Sequence, residues 1–219
     1  MEQVRKERIG IMGGTFDPPH FGHFIIAEVC LEQLNLDKVL FIPTGKIVYK
    51  KASGETDGTD RYNMLKSVID SNPDFELSDI EIKQSETTYT ANTLTRLRDG
   101  EYKDSEIYFL MGADSIDYMD KWYKPDVIFS LCSVAVVDRQ GISSQSLDEK
   151  IDALTRNYGA EIVRVQMPLV DISSTALRQR VKDGKSIRYM THDNIINYIE
   201  QHNLYGGEPH GGSIERDEH

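Results

Sequence analysis

Apolar residues along the chain form short blocks that alternate with amphipathic stretches. Residues 8–12 predict a first strand, which ends at Gly13 and Gly14, and a helix is predicted to begin near His20. The buried stripe of this helix has four members at helical spacing: Phe24, Ala27, Leu31 and Leu34. Residues 38–43 predict a second strand, so the chain opens with a β-α-β unit of parallel strands and right-handed crossover.

The same alternation continues through the rest of the chain. Further strands are predicted at residues 75–82, 106–111, 134–137 and 162–165, and further helices at 61–69, 91–98, 173–183 and 193–201. This order predicts an α/β fold with a doubly wound, mostly parallel sheet and C-terminal helices. The polar residues 44–60 predict a long loop of the kind that closes over substrates. Residues 1–205 are expected to form one domain, and 206–219 a disordered tail.

Composition narrows the classes of partner and compartment. The 219 residues carry a formal net charge of −11, which argues against binding to a nucleic-acid backbone. The apolar blocks are strand-length, too short for a membrane span, and the charged N-terminus does not resemble a secretory signal. We therefore expect a cytoplasmic protein. Cys30 and Cys132 are the two cysteines, which makes a disulfide framework or a structural zinc site improbable and predicts two buried small hydrophobes.

The first candidate site is the turn between the first strand and its helix. Gly13 and Gly14 let backbone N–H groups approach an anion where a helix N-terminus also points, a geometry that suits a triphosphate. His20 and His23 project from one face of the first helical turn and are predicted to stabilise charge on phosphate oxygens. The alternatives are an ordinary tight turn and structural histidines, or metal ligands, although no third ligand is evident.

The second candidate site begins a helix near the other end of the chain. Ser173, Ser174 and Thr175 stand before Arg178, whose guanidinium would lie one turn into the helix and grip phosphate oxygens. The alternative is that Ser173 or Ser174 is an N-cap. We predict that both motifs converge on one triphosphate.

These motifs, His20-Phe21-Gly22-His23 and Ile172-Ser173-Ser174-Thr175-Ala176-Leu177-Arg178, resemble the H-x-G-H and I-S-S-T-x-x-R signatures of the adenylyltransferases in the nucleotidyltransferase superfamily. From about residue 9 to 205 the chain is most similar to bacterial nicotinate-nucleotide adenylyltransferases. The resemblance implies the Rossmann-like fold of that superfamily and AMP transfer from ATP to nicotinate mononucleotide in NAD biosynthesis. It assigns ATP binding to residues of both motifs: Gly13, Gly14, Thr15, Phe16, His20, His23, Ser173, Ser174, Thr175 and Arg178.

Residues between the motifs carry the rest of the resemblance. It runs through Thr88-Tyr89-Thr90, Met111-Gly112-Ala113-Asp114-Ser115 and Lys121-Trp122-Tyr123. It implies that Trp122 stacks on the pyridine ring, that backbone donors near Thr90 and Tyr123 hold its carboxylate, and that Asp114 contacts a ribose; Asp17 and Lys50 complete the mononucleotide site. The alternatives are a core position for Trp122 and an N-cap for Asp114. Where the family has Pro-Pro-His, this chain has Ile47-Val48-Tyr49, so the loop's role stays open.

The predicted chemistry is in-line attack of the mononucleotide 5′-phosphate on the α-phosphorus of ATP, without a covalent enzyme intermediate. His20, His23 and Arg178 are the expected catalytic residues. Mg²⁺ is expected on the ATP phosphates and water, and no protein metal cage is predicted. Three alternatives remain: a sister enzyme for nicotinamide mononucleotide, one for phosphopantetheine or cytidylyl transfer, and a non-catalytic nucleotide-binding regulator. Monomer and homo-oligomer are not distinguished.

Overall fold

A computed structural model describes residues 5–46, 56–139 and 145–206. Within these residues the strands are β1 (Arg8–Gly14), β2 (Lys38–Pro43), β3 (Phe75–Leu77), β4 (Glu106–Gly112), β5 (Ser133–Arg139) and β6 (Ile162–Met167). The helices are α1 (Phe21–Gln33), α2 (Gly58–Ile69), α3 (Thr90–Asp99), α4 (Ala113–Ile116), α5 (Pro125–Leu131), α6 (Gln145–Tyr158), α7 (Ser174–Lys182) and α8 (Asp193–Gln201). Short 3₁₀ turns occupy Met119–Lys121 and Leu204–Gly206.

The six strands form one sheet in the order β3-β2-β1-β4-β5-β6, and every neighbouring pair is parallel. The chain runs outward from β1 through β2 to β3, then returns to β4 on the other side of β1. The doubly wound α/β prediction is therefore confirmed. In such a sheet, ligands bind beyond the carboxyl ends of the strands at the point where the winding reverses, here between β1 and β4.

Both faces of the sheet are buried. Because successive side chains of a strand point to opposite sides, each strand contributes residues to the core on both faces. In β4, Ile107 and Phe109 enter one core cluster while Tyr108 and Leu110 enter the other. A third cluster, which includes Met64, joins α2 to α7 and α8. This last cluster attaches the C-terminal helices to the sheet domain.

Several sequence predictions need correction. Only residues 75–77 of the predicted strand 75–82 pair with β2, and the chain then turns, with the Lys83 N–H donating to the Asp79 carbonyl at 3.0 Å. Helix α2 begins at Gly58 and not at residue 61, while α4, α5 and α6 were not predicted. Ile47-Val48-Tyr49, Lys50 and residues 207–219 lie outside the described residues, so the predictions for that loop and for the tail stay predictions.

Candidate active site

The loop from Thr15 to His20, called here the histidine loop, connects β1 to α1 at the winding reversal of the sheet. Phe16 lies in this loop with φ of +53° and is 1% exposed, so its ring is part of the core under the loop. A Cβ on Gly14 would approach the Phe16 ring to 3.1 Å. The residue before the loop must therefore be small for Phe16 to fold back beneath it.

The two predicted histidines lie against each other at the start of α1. His20 is the N-cap residue, and its N–H donates to Nδ1 of His23 at 3.1 Å. The two rings stack with centroids 3.7 Å apart and an interplanar angle of 29°. A Cβ on Gly22 would come within 3.0 Å of the His20 ring, which explains the glycine between the two histidines. The spacing His-x-Gly-His thus produces one compact imidazole pair.

Burial keeps this pair uncharged. Burial lowers the pKa of His20 from 6.5 to about 4. The pKa of His23 is also well below its ordinary value, first because of burial and then because of repulsion from His20. Since Nδ1 of His23 accepts a hydrogen bond, its proton is assigned to Nε2. Nδ1 of His20 is buried and has no hydrogen-bond partner among the described residues, which leaves a polar atom for a ligand.

Three consecutive carbonyls of the histidine loop are held by side chains from the C-terminal part of the chain. Arg178 Nη1 donates to the Asp17 carbonyl at 2.6 Å, and the Ser174 hydroxyl donates to the Pro18 carbonyl at 2.9 Å. The Thr191 hydroxyl donates to the Pro19 carbonyl at 2.8 Å. The two motifs, more than 150 residues apart in sequence, therefore meet at one place. The two motifs thus lie together as predicted, while their convergence on a triphosphate stays a prediction.

The hydroxyls of the second motif have separate contacts. Ser173 is the N-cap of α7, because its Oγ accepts a hydrogen bond from the Ala176 N–H at 3.2 Å. Thr175 Oγ1 accepts a hydrogen bond of 3.3 Å from Nη2 of Arg178. The N-cap alternative is thus confirmed for Ser173, whereas Ser174 binds the loop. Contact of these groups with ATP stays a prediction.

Asp17 is buried in the histidine loop, with 1% of its surface exposed. Its Oδ1 accepts hydrogen bonds from the Thr56 hydroxyl at 2.6 Å and from the Tyr205 hydroxyl at 2.7 Å. Its predicted contact with a mononucleotide stays a prediction, and these two partners were missed in the sequence. No local pattern could have found Tyr205, which lies 188 residues away.

Arg61 is a second residue that the sequence did not reveal. It is 3% exposed, and its guanidinium donates to the carbonyl of Thr15 at 2.8 Å and to that of Thr44 at 2.6 Å. These carbonyls follow β1 and β2 at the same edge of the sheet. A single arginine of α2 therefore connects the histidine loop to the loop after β2.

Four of the residues predicted to hold the mononucleotide lie on the segments after β3 and β4: Thr90, Asp114, Trp122 and Tyr123. Thr90 is the first residue of α3, and the ring of its neighbour Tyr89 packs against that of Tyr123, with centroids 4.5 Å apart and an interplanar angle of 34°. Trp122 is partly buried and packs edge-on against Phe109 of β4 at 5.9 Å. Part of its indole thus contacts the core, as the alternative had it.

Asp114 lies in the first turn of α4, directly beyond β4, and is exposed. Gly112 is the N-cap of this helix, so the N-cap alternative for Asp114 is wrong, and its contact with a ribose stays a prediction. The carboxylate is therefore at the edge of the sheet where ligands bind, with its side chain in solvent.

Across residues 5–46, 56–139 and 145–206, no group of three or more His, Cys, Asp or Glu side chains is arranged to hold a metal ion. Cys30 and Cys132 are both buried and unpaired, as predicted. In the described part of the chain, no helix combines the length and the apolar character that crossing a membrane requires.

The chain is similar to known proteins by family model, by sequence and by fold. Residues 11–180 match the family model described as cytidylyltransferase-like. A protein of Lachnoclostridium phytofermentans named "Probable nicotinate-nucleotide adenylyltransferase" is 36% identical over 90% of this chain and 98% of its own. A Dehalococcoides mccartyi protein of the same name is 39% identical over 90% and 97%.

Solved structures share the fold. Nicotinic acid mononucleotide adenylyltransferase of Plasmodium falciparum, complexed with NaAD, aligns with a TM-score of 0.76 at 20% identity and covers 92% of this chain and 98% of that one. The same enzyme complexed with APC aligns with a TM-score of 0.73 at 20% identity over the same shares.

Proposed function

The chain belongs to the nicotinate-nucleotide adenylyltransferases of the cytidylyltransferase-like family, and from this premise we propose that it joins nicotinate mononucleotide to the AMP portion of ATP. An oxygen of the mononucleotide 5′-phosphate forms a bond to the α-phosphorus of ATP, and the bond from that phosphorus to the bridging oxygen breaks. Pyrophosphate leaves, and nicotinate adenine dinucleotide is the product, a step in NAD biosynthesis. The alternatives of phosphopantetheine, nicotinamide mononucleotide and pure regulation remain as outcomes of the test below.

The observation that supports this proposal most is the hydrogen bond from Arg178 to the Asp17 carbonyl. It brings a guanidinium to the loop that ends at His20, where α1 and α7 both begin. Two helix N-termini, an imidazole pair and a guanidinium together favour the negative charge of a triphosphate. Their role is to position ATP and to stabilise charge in the transition state, and no side chain acts as a nucleophile.

The histidines serve as hydrogen-bond donors in this proposal. An imidazole with a pKa near 4 is neutral at physiological pH, so each ring carries one N–H. Bound triphosphate raises the pKa of a nearby imidazole, because an anion favours the protonated form. The pair is thus neutral before ATP binds and offers N–H donors to the phosphate oxygens, and a bound anion shifts its pKa upward.

The acceptor's carboxylate fits the start of α3. This helix begins at Thr90, and its N-cap residue Tyr89 makes no side-chain cap hydrogen bond. Its first N–H groups and positive dipole end therefore favour a carboxylate over a neutral carboxamide. The ring of Tyr123 packs against that of Tyr89 and so lies beside this helix start. We assign preference for nicotinate over nicotinamide to this helix start.

Mg²⁺ enters the proposal as a companion of ATP. The donors around the histidine loop are imidazole, hydroxyl and guanidinium groups, which suit phosphate oxygens and not a hard divalent cation. The residues therefore fit ATP that carries Mg²⁺ on its own phosphates and on water. Bound with ATP, the cation would supply neutralisation of the negative charge on the phosphates.

The proposal is tested by pyrophosphate release from ATP and Mg²⁺ with three acceptors assayed side by side. Nicotinate mononucleotide should give the highest kcat/KM, about tenfold above nicotinamide mononucleotide. A negative charge at a partly buried helix N-terminus contributes up to about 2 kcal/mol, and about 1.4 kcal/mol corresponds to a tenfold difference in kcat/KM. Higher activity with phosphopantetheine or nicotinamide mononucleotide would reassign the substrate. Binding of ATP without pyrophosphate release from any acceptor would make the chain a regulator.

A further inference from the structure

Tyr205 lies near the end of the last described segment, yet its side chain reaches the histidine loop. Its hydroxyl is 2.7 Å from Oδ1 of Asp17, and its backbone has φ of +64°, in the left-handed region. A non-glycine residue in that region has an unfavourable backbone conformation, which persists only where surrounding contacts favour it. The ring packs on the cluster of α2, α7 and α8. Both the ring and the hydroxyl therefore hold the chain in this conformation.

Asp17 is held at its side chain and at its backbone. Thr56 donates to both carboxylate oxygens, from its hydroxyl at 2.6 Å and from its N–H at 3.4 Å. Arg178 donates to the carbonyl of the same residue at 2.6 Å, while its nitrogen lies 4.0 Å from Oδ2. The contacts of the Asp17 side chain and the contact of Arg178 with the Asp17 carbonyl thus meet in one residue.

We propose that Tyr205 is a positioning residue for the transfer reaction: through Asp17 it fixes the carbonyl that orients Arg178 and the loop that carries His20. This inference rests on the proposed function. Arg178 and His20 would contact the triphosphate, whereas Tyr205 reaches the reaction only through the Asp17 side chain. Because a misplacement of about 1 Å in a catalytic group costs up to about a hundredfold in rate, a single remote hydroxyl has a measurable effect.

The test removes only the hydroxyl. Tyr205→Phe keeps the ring in its cluster and leaves Asp17 with its Thr56 contacts. We expect kcat for pyrophosphate release to fall about tenfold, while KM for ATP changes less than about threefold, because the loss lies in transition-state geometry. Thermal unfolding of the same samples verifies that the variant is folded at the assay temperature.

Tyr198→Phe is the matched control. Tyr198 packs on the same cluster, and its hydroxyl donates to Asp60 Oδ1 at 3.0 Å, so this variant also loses a tyrosine–aspartate hydrogen bond. Asp60, however, lies in α2 and outside the histidine loop. We expect kcat of Tyr198→Phe to stay within about twofold of the unmodified chain. Equal values of kcat for the two variants would overturn the inference.

A double-mutant cycle tests whether Tyr205 acts through Asp17. Asp17→Ala should lower kcat at least as much as Tyr205→Phe, and adding Tyr205→Phe to it should change kcat by less than about twofold. If the double variant instead lost kcat by the product of the two separate factors, the inference would be overturned. If Asp17→Ala does not fold, the comparison of the two tyrosine variants decides alone. An unmodified chain without pyrophosphate release overturns the proposed function and this inference together, whereas an active chain insensitive to Tyr205→Phe overturns only the inference.

Discussion

The histidine loop with α7 and the Trp122–Tyr123 segment flank the same sheet edge but are held by different contacts. In the histidine loop, three successive carbonyls accept hydrogen bonds from distant side chains, and His20 is 6% exposed. In the second segment, aromatic rings contact one another and the core, and Tyr123 is 44% exposed. The proposed ATP side is thus a fixed, buried framework, and the proposed acceptor side is an aromatic surface of partly buried and exposed rings.

This difference indicates where mutations act. Groups fixed by several long-range hydrogen bonds are preorganised, and their loss lowers the rate of the chemical step. Exposed rings that contact a ligand contribute to its binding in ground and transition states alike, so their loss raises KM. Each of the following variants tests one side of this division.

His20→Ala should have the largest effect. Removal of one hydrogen-bond donor to developing negative charge costs about a hundredfold or more in kcat. His20 is buried, and its Nδ1 has no hydrogen-bond partner among the described residues, so the substitution breaks no bond to that atom. Steady-state pyrophosphate release measures the loss. His202→Ala is the control, since that histidine is exposed and stacks on Tyr198. A folded His20→Ala variant with near-normal turnover would remove His20 from the mechanism.

The buried histidine pair should also make stability depend on pH. The pKa of His20 is about 4 when folded and about 6.5 when unfolded, so between these values the unfolded chain binds more protons. The stabilisation from neutral His20 is complete above pH 6.5 and is lost as pH falls towards 4. Between pH 7 and 5 the free energy of unfolding should fall by about 1–2 kcal/mol for this residue.

Denaturant unfolding at both pH values measures this loss in the unmodified chain and in His20→Asn. The slope is the change in the free energy of unfolding per pH unit. The carboxylates contribute to this slope in both proteins, so the difference between the two slopes reports on His20. Trp122→Phe, on the acceptor side, should keep the slope of the unmodified chain. Equal slopes for the unmodified chain and His20→Asn would contradict a buried, neutral His20.

Much of the fold was predictable because the strands are short apolar blocks buried on both faces. The predicted ranges 106–111 and 134–137 lie inside β4 and β5. The length of β3 was overestimated. It is an edge strand that pairs only with β2, and this pairing ends at Leu77. Helices α4 and α5 are too short for a periodic pattern. Helix α6, by contrast, has Leu147, Ile151, Leu154 and Tyr158 at helical spacing and could have been predicted.

The two regions of the candidate site also differ in how far their residues could be predicted from the sequence. His20, His23 and Arg178 could be predicted because their motifs combine residue type with a fixed spacing. Tyr205 could not, since a hydrogen bond across 188 residues depends on how the C-terminal helices pack on the sheet. On the acceptor side the predicted donors are backbone groups, which leave no mark in the sequence.

Trp122→Ala should act on the acceptor alone. Stacking of an aromatic ring contributes about 0.5–1.5 kcal/mol beyond burial, so KM for the mononucleotide should rise about twofold to tenfold. KM for ATP should stay within about twofold of its unmodified value. Tyr118→Ala is the control, since Tyr118 is 61% exposed and contacts Lys121 by its ring. A parallel rise in KM for ATP would show that the two regions are not independent.

Ser173→Ala should have the smallest effect and separates two roles of one residue. Its hydroxyl oxygen caps α7, and loss of such a cap costs about 0.5–2 kcal/mol in the free energy of unfolding. Ser173→Asn keeps a capping oxygen and should restore most of that stability, as denaturant unfolding will measure. If Ser173 only caps the helix, KM for ATP follows stability and recovers in Ser173→Asn. If its hydroxyl also binds ATP, KM for ATP stays raised in both variants, because the asparagine amide restores the cap without the hydroxyl.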